Sequence, residues 1–99
     1  MFEQIRDKMR EKIRSLEYVM TIHAEEEMEN DALSIFDVEN GILTGEIVER
    51  QKDRETDEWK YLLAGKTLDD AGIVVVAKLS LTDKLLIITV YFEDYEYEN

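Results

Sequence analysis

The spacing of the apolar residues changes at Gly45. Before this glycine, apolar residues recur every three or four positions, which is the spacing of amphipathic helices. After it, they lie in β-rich runs that short connections join. Short connections favour antiparallel strands, because a parallel crossover needs a dozen or more residues. The sequence therefore predicts an α+β fold in which N-terminal helices pack on a mostly antiparallel four-stranded sheet.

Three helices are predicted in the first half of the chain. The first covers about residues 2–16, where the apolar positions form one stripe. Thr21 is the predicted N-cap of the second helix, because its hydroxyl can accept a backbone N–H of the first turn. A third helix is predicted to begin after Ser34, with Asp37 completing a capping box, and to end near Gly45.

Four strands are predicted after the helices, at residues 46–49, 59–66, 73–79 and 85–92. The last two runs are apolar on both faces, so we place them in the centre of the sheet with helices covering one side. The charged stretch 50–58 is predicted to be a hairpin loop or an exposed edge, and residues 18–22 a short extended link.

The length of 99 residues is near the most common size of a single domain, so we expect one domain over residues 1–99. It divides into the amphipathic helix 1–16, a core over residues 18–92 and an acidic tail over residues 93–99. No proline, low-complexity tract or internal repeat interrupts it.

The charge is strongly acidic and unevenly distributed. Twelve Lys and Arg stand against 24 Asp and Glu, a net charge of -12. This balance argues against a general binder of nucleic acid or anionic membranes, because like charges repel. Residues 1–16 carry five cations, whereas residues 17–49 carry ten acids and no Lys or Arg. An anion-binding surface must therefore come from the first helix or the later strands.

The chain contains no cysteine, which excludes a disulfide scaffold, a thiolate metal site and a cysteine nucleophile. No apolar run approaches the roughly 18 residues that span a bilayer. A cytoplasmic protein that does not enter the membrane is therefore expected. No glycine-rich phosphate loop or nucleotide fingerprint occurs, and no cofactor is expected.

Several short motifs together resemble one protein family. The motifs are His23-Ala24 with Met28, Ser34 with Asp37-Val38, Gly45 to Glu49, Tyr61 to Lys66, Ile73 to Ala77, and Ile87 to Tyr91. Their order and spacing over residues 18–92 are similar to those of a small bacterial and archaeal family known as domain of unknown function 4258.

The resemblance implies a compact fold related to the RelE, BrnT and MqsR toxins. Those relatives are small ribonucleases that cut messenger RNA and are held inactive by an antitoxin. By this resemblance, the chain looks like the toxin half of a toxin–antitoxin pair, with an antitoxin and RNA as partners. One position departs from the pattern: Glu27 stands where the family commonly has arginine. This change replaces attraction for phosphate with repulsion.

Metal-independent RNA cleavage needs a base, an acid and cations for the developing phosphorane charge. His23 is the natural acid–base candidate, since its ordinary pKa lies near neutrality. The cations would be Lys60 and Lys66, which share a strand face, together with Lys78 on the next strand. Tyr91 on the last strand could join them.

Arg6, Arg10 and Arg14 recur every four residues and could form an RNA-binding line along the first helix. A solvated helix with ion pairs explains the same spacing.

A metal site is a second reading, because His23, Glu26 and Glu27 lie on one helical face. With a single His and no second cluster of ligands, a solvated acidic face explains the same residues.

A non-catalytic interaction domain is the third reading. Such a domain could bind a basic partner, which could be a DNA-binding antitoxin, or a second copy of itself. Its candidate surfaces are the strand edge at residues 46–49, the stripe of the first helix and the aromatic residues Tyr91, Phe92, Tyr95 and Tyr97. An enzyme requires a positive cleft beside His23, whereas an interaction domain would show these cations scattered or neutralised by acids.

Overall fold

Three helices and five strands make up the part of the chain that the computed structural model describes, residues 1–93. The helices are Glu3–Arg14 (α1), Ile22–Asn30 (α2) and Ile35–Thr44 (α3). The strands are Tyr18–Met20 (β1), Glu46–Lys52 (β2), Trp59–Lys66 (β3), Gly72–Leu79 (β4) and Leu85–Phe92 (β5).

The strands form one sheet in the order β1-β5-β4-β3-β2. The pairings of β2 with β3, β3 with β4 and β4 with β5 are antiparallel, whereas β1 runs parallel to β5. The α+β class and the mostly antiparallel sheet are thus confirmed, and β4 and β5 lie inside the sheet as predicted.

The predicted number of strands was wrong. The sheet has five strands rather than four, because Tyr18–Met20 is a strand and not a link. Its pairing is anchored by Leu85 N–H, which donates to the Glu17 carbonyl at 3.0 Å, and by Thr21 N–H, which donates to the Ile87 carbonyl at 2.9 Å. Three residues are too few to show a strand periodicity, and the partner strand lies far away in sequence.

The predicted N-caps of α2 and α3 are confirmed. Thr21 Oγ1 accepts the Ala24 N–H at 3.1 Å, and Ser34 Oγ accepts the Asp37 N–H at 3.1 Å. Asp37 Oδ2 in turn accepts the Ser34 N–H at 3.0 Å, which completes the capping box. This backbone N–H is the main cause that lowers the pKa of the Asp37 carboxyl.

The helices cover one face of the sheet. Met9 of α1, Ala24 of α2 and Val38 of α3 belong to the same buried cluster as Leu63 and Val75 of the sheet. The other face, which we call the helix-free face, carries the alternate residues of β3, β4 and β5. Across β3 and β4 these are Lys60, Leu62, Ala64, Lys66, Val74, Val76 and Lys78.

Gly65 allows α3 to touch the sheet. A Cβ atom built on Gly65 would lie 2.1 Å from the Gly41 carbonyl oxygen of α3, a distance that only glycine tolerates.

Gly65→Ala is therefore expected to lower the free energy of unfolding by about 3 kcal/mol, since backbone on both sides must move. Chemical denaturation measures the change. Ala64→Ser, on the helix-free face, should stay within about 1 kcal/mol of the parent, and equal losses in both variants would contradict this account.

Candidate functional site

His23 and Glu27 form a pair on α2. His23 Nε2 lies 3.3 Å from Glu27 Oε2, one helical turn away. The His23 side chain is exposed, whereas the Glu27 carboxylate is half-buried against the sheet. The candidate acid–base residue thus sits beside a carboxylate, and Glu25 and Glu26, its neighbours on the helix, are exposed acids.

Glu27 also holds α2 against β5. Its other oxygen, Oε1, accepts the Val90 N–H at 3.0 Å. Thr21 Oγ1 donates to the Ile88 carbonyl at 3.1 Å, immediately beyond the last residue pair of β1 with β5, Met20 with Ile87. Side chains of α2 therefore replace the strand partner that β5 lacks after Ile87.

This contact gives Glu27 a structural role. A buried backbone N–H needs an acceptor, and a guanidinium has only donors. The carboxylate of Glu27 satisfies Val90 in a way that an arginine cannot. Glu27 is therefore a structural residue in this chain, and the sequence alone showed only its charge.

The structure does not bring all three strand lysines together: Lys60 and Lys78 are neighbours at one end of the β3–β4 pair, and Lys66 lies at the other end. Lys60 and Lys66 stand on the same strand face but six residues apart, which is about 20 Å along an extended strand. Lys78 pairs with Leu86 at the Lys60 end of the sheet, whereas Lys66 pairs with Gly72 at the opposite end. Tyr91 lies opposite Val74, near the Lys66 end. The five candidate catalytic residues therefore lie in three places. Lys60 and Lys78 are at one end of the sheet, Lys66 and Tyr91 are toward the other, and His23 is on α2 beside the β5 edge.

Lys78 is neutralised by two carboxylates. Its Nζ lies 2.9 Å from Glu58 Oε1 and 3.2 Å from Asp53 Oδ2, and the side chain is only 9% exposed. The Glu58 contact, followed by that of Asp53, raises the pKa of Lys78. The pKa of Asp53 is lowered, first by the Glu55 backbone N–H and then by Lys78. The ammonium group of Lys78 is therefore paired with carboxylates of the β2–β3 hairpin.

The arginine line of α1 is also engaged. Arg6 Nη1 lies 2.6 Å from Glu46 Oε1, and Arg6 Nη2 lies 3.0 Å from Asp7 Oδ1. Arg10 Nη2 donates to the Gly45 carbonyl at 2.7 Å and lies 3.5 Å from Glu46 Oε2. Both arginines thus join α1 to the first residue of β2. Arg14 is exposed and makes no ion pair with residues 1–93.

A cluster of cations and aromatic rings was not predicted. The Arg50 guanidinium carbon lies 4.0 Å from the centre of the Trp59 ring, and Lys52 Nζ lies 4.7 Å from it. Lys52 and Trp59 are register partners on β2 and β3. The signal was present in the hairpin sequence, but only the strand register brings the cations onto the ring.

The metal reading gains no support. Within residues 1–93, no three His, Asp or Glu side chains are placed to hold a metal ion. Glu26 is exposed, and the His23–Glu27 pair has Val90 rather than a third ligand beside it.

Two of the predicted interaction surfaces are largely used for packing inside the molecule. The stripe of α1 is largely used internally, since Met9 and Ile13 are buried and Phe2 and Ile5 pack against the core. Phe92 also packs against the core. Tyr95 and Tyr97 lie outside the described residues. None of the helices in the described part is long and apolar enough to cross a membrane.

Comparison with known proteins identifies a family. The model of the family described as Domain of unknown function (DUF4258) matches residues 20–92, about three quarters of the chain. The match covers α2, α3 and the strands β2 to β5. No curated protein and no solved structure matches the chain.

Removing the Glu27 carboxylate tests its structural role. Glu27→Ala is expected to lower the free energy of unfolding by about 1 to 3 kcal/mol, because the Val90 N–H loses its acceptor. Glu27→Gln keeps an acceptor oxygen and should lose less. Glu26→Ala, on the exposed face of the same helix, is the matched control. Urea denaturation at neutral pH compares the three, and equal stability of the two alanine variants would contradict the role.

Lys78→Met tests the neutralised lysine. It leaves Asp53 and Glu58 without their cation, and the free energy of unfolding should fall by about 1 to 2 kcal/mol. Because the Asp53 pKa lies below its ordinary 3.8, the part of this contribution that Asp53 makes is complete above that pH. It is lost as the pH falls through the lowered pKa.

The free energies of unfolding of the parent and of Lys78→Met should therefore approach each other as the pH falls. Denaturation of both proteins across the acid range measures this. Lys60→Met is the control, since Lys60 stands on the same face without a carboxylate partner among residues 1–93. A difference between parent and Lys78→Met that persists unchanged into strong acid would contradict the ion-pair account.

Proposed function

This chain belongs to the DUF4258 family, and we propose that it acts as a non-catalytic protein-interaction domain. One observation carries the proposal: the cations that RNA cleavage would require are separated or already paired with carboxylates. Lys78 is bound by Asp53 and Glu58, and Arg6 is bound by Glu46.

Electrostatics support the same conclusion. Stabilising a phosphorane needs cations aimed at the position where negative charge develops. Around His23 the structure instead places the Glu27 carboxylate at 3.3 Å, and Glu25 and Glu26 follow in sequence. A phosphate that approached His23 would be repelled by these carboxylates and by the net charge of -12.

The same charge favours a basic protein partner. Complementary charge between two proteins raises the rate of encounter and selects against wrong partners. The exposed acids of α2, Glu25, Glu26 and Glu29, belong to the segment 17–49 that has no Lys or Arg. A polypeptide rich in Lys or Arg is therefore the expected class of partner.

A RelE-like toxin half that cleaves messenger RNA is the competing proposal. It is favoured by the exposure of His23 and by Lys60 and Lys66, which have no carboxylate partner within the described part of the chain. Its antitoxin would be the basic partner. The two proposals differ in one observable, the cleavage of RNA.

Incubation with a long single-stranded RNA in EDTA decides between them. We expect no cleavage by the purified parent at micromolar concentration, because no cationic cluster lies beside His23. The variants are the His23→Ala, Lys66→Ala double variant and Lys8→Ala, an exposed lysine of α1 that serves as the control. Cleavage by the parent and by Lys8→Ala that disappears in the double variant would overturn the non-catalytic proposal.

A further inference from the structure

The two edges of the sheet are protected very differently. β2 is seven residues long and carries Glu46, Glu49, Arg50 and Lys52, and its register shifts at Val48. Charged side chains and bulges are the usual means by which proteins prevent another strand from adding to an edge. β1, at the other edge, is Tyr18-Val19-Met20 and has neither.

The backbone of β1 has hydrogen-bonding groups that point outward. In a parallel pair, alternate residues of a strand bond to the same neighbour. The Glu17 carbonyl and the Thr21 N–H bond to β5, so residues 17, 19 and 21 face that strand. The N–H and C=O groups of Tyr18 and Met20 therefore face away from the sheet. No residue in the described range 1–93 hydrogen-bonds to them.

Apolar side chains surround this edge. Leu16 is 71% exposed, Val19 47% and Ile22 73%, at intervals of three residues across β1. Val19 is in register with Leu86 of β5, which is half-buried. These side chains offer apolar contacts to a strand that pairs with the edge.

The charge next to the edge is negative. Glu17, Glu25, Glu26 and Glu29 are exposed on the segments that flank β1. Lys12 is paired with Asp83 at 3.0 Å and lies 3.7 Å from Glu17, so its charge is balanced. Two exposed cations, Arg14 at the end of α1 and Lys84 immediately before β5, stand against these four glutamates. An apolar strip with an acidic border fits a partner of opposite charge.

We propose that the β1 edge binds an extended segment of a basic protein by strand addition. The backbone of the segment pairs with the outward groups of Tyr18 and Met20, alternate apolar side chains contact Val19, and flanking Lys or Arg residues meet the glutamates of α2. This inference rests on the proposed interaction function and names its surface and the chemistry of its partner.

A second copy of the chain fits this edge less well. Pairing β1 with its own copy would place Val19 opposite Val19, and α2 starts two residues after β1 ends. The acidic first turns of two α2 helices would then approach each other without cations of their own, and like charges at an interface are destabilising.

The probe is a fluorescein-labelled peptide that alternates lysine and valine over about nine residues, within the usual range of strand lengths. Fluorescence anisotropy measures its binding, and amide hydrogen exchange by NMR locates it. In the free protein, the Tyr18 and Met20 amides should exchange faster than that of Val19. Saturating peptide should slow both by about tenfold or more, since each gains a hydrogen-bond partner, and should leave Val19 unchanged.

Val19→Lys and Val48→Lys are matched variants, because each puts one lysine on an exposed edge-strand valine and adds the same charge. Val19→Lys should weaken peptide binding by about tenfold or more and Val48→Lys by less than about twofold, since a lysine at an edge opposes strand addition. The exchange pattern of the β3–β4 pair confirms that both variants fold.

Four results would overturn the inference: no binding at about 1 mM peptide, equal loss in both variants, protection that appears at β2 instead, or a dimer of the parent that Val19→Lys converts to a monomer. Protection at β2 would leave the interaction function standing and reject only this surface. Cleavage of RNA by the parent, in contrast, would reject the function itself.

Discussion

The contact between α2 and the outer edge of β5 determines how the rest of the molecule is arranged. β1 supplies partners for β5 only as far as Ile87, and beyond it Thr21 and Glu27 bond to Ile88 and Val90. β1 ends after three residues, and α2 begins at Ile22 and runs along β5, where these bonds form. The same contact fixes His23 beside a carboxylate and leaves β1 as the outer strand of the sheet.

Several cations of the chain hold its elements together. Arg6 and Arg10 connect α1 to Glu46 at the start of β2, and Lys78 connects β4 to the hairpin through Asp53 and Glu58. The chain has half as many cations as acids, so its net charge opposes a nucleic acid. Under the proposed function, its exposed acids would meet a partner of opposite charge.

Local signals in the sequence predicted the caps and the long strands, because they depend on neighbouring residues. Ser34 and Asp37 are three positions apart, and the strand pattern of β4 and β5 is visible in their apolar runs. The contacts that decide the candidate site depend on distant residues instead. Glu27 meets Val90 and Lys78 meets Asp53 only through the sheet register and its bulge, which no local spacing encodes.

The parallel pairing of β1 with β5 also has a consequence for the order of folding. It joins segments 67 residues apart, as in the bond from Thr21 to Ile88, whereas the antiparallel pairs connect neighbouring strands. Closing such a long loop costs more chain entropy than closing a hairpin. β1 should therefore join the sheet late during folding and detach first during thermal fluctuation. Each such opening would expose the β5 edge, and an open strand edge is a template to which another chain can add.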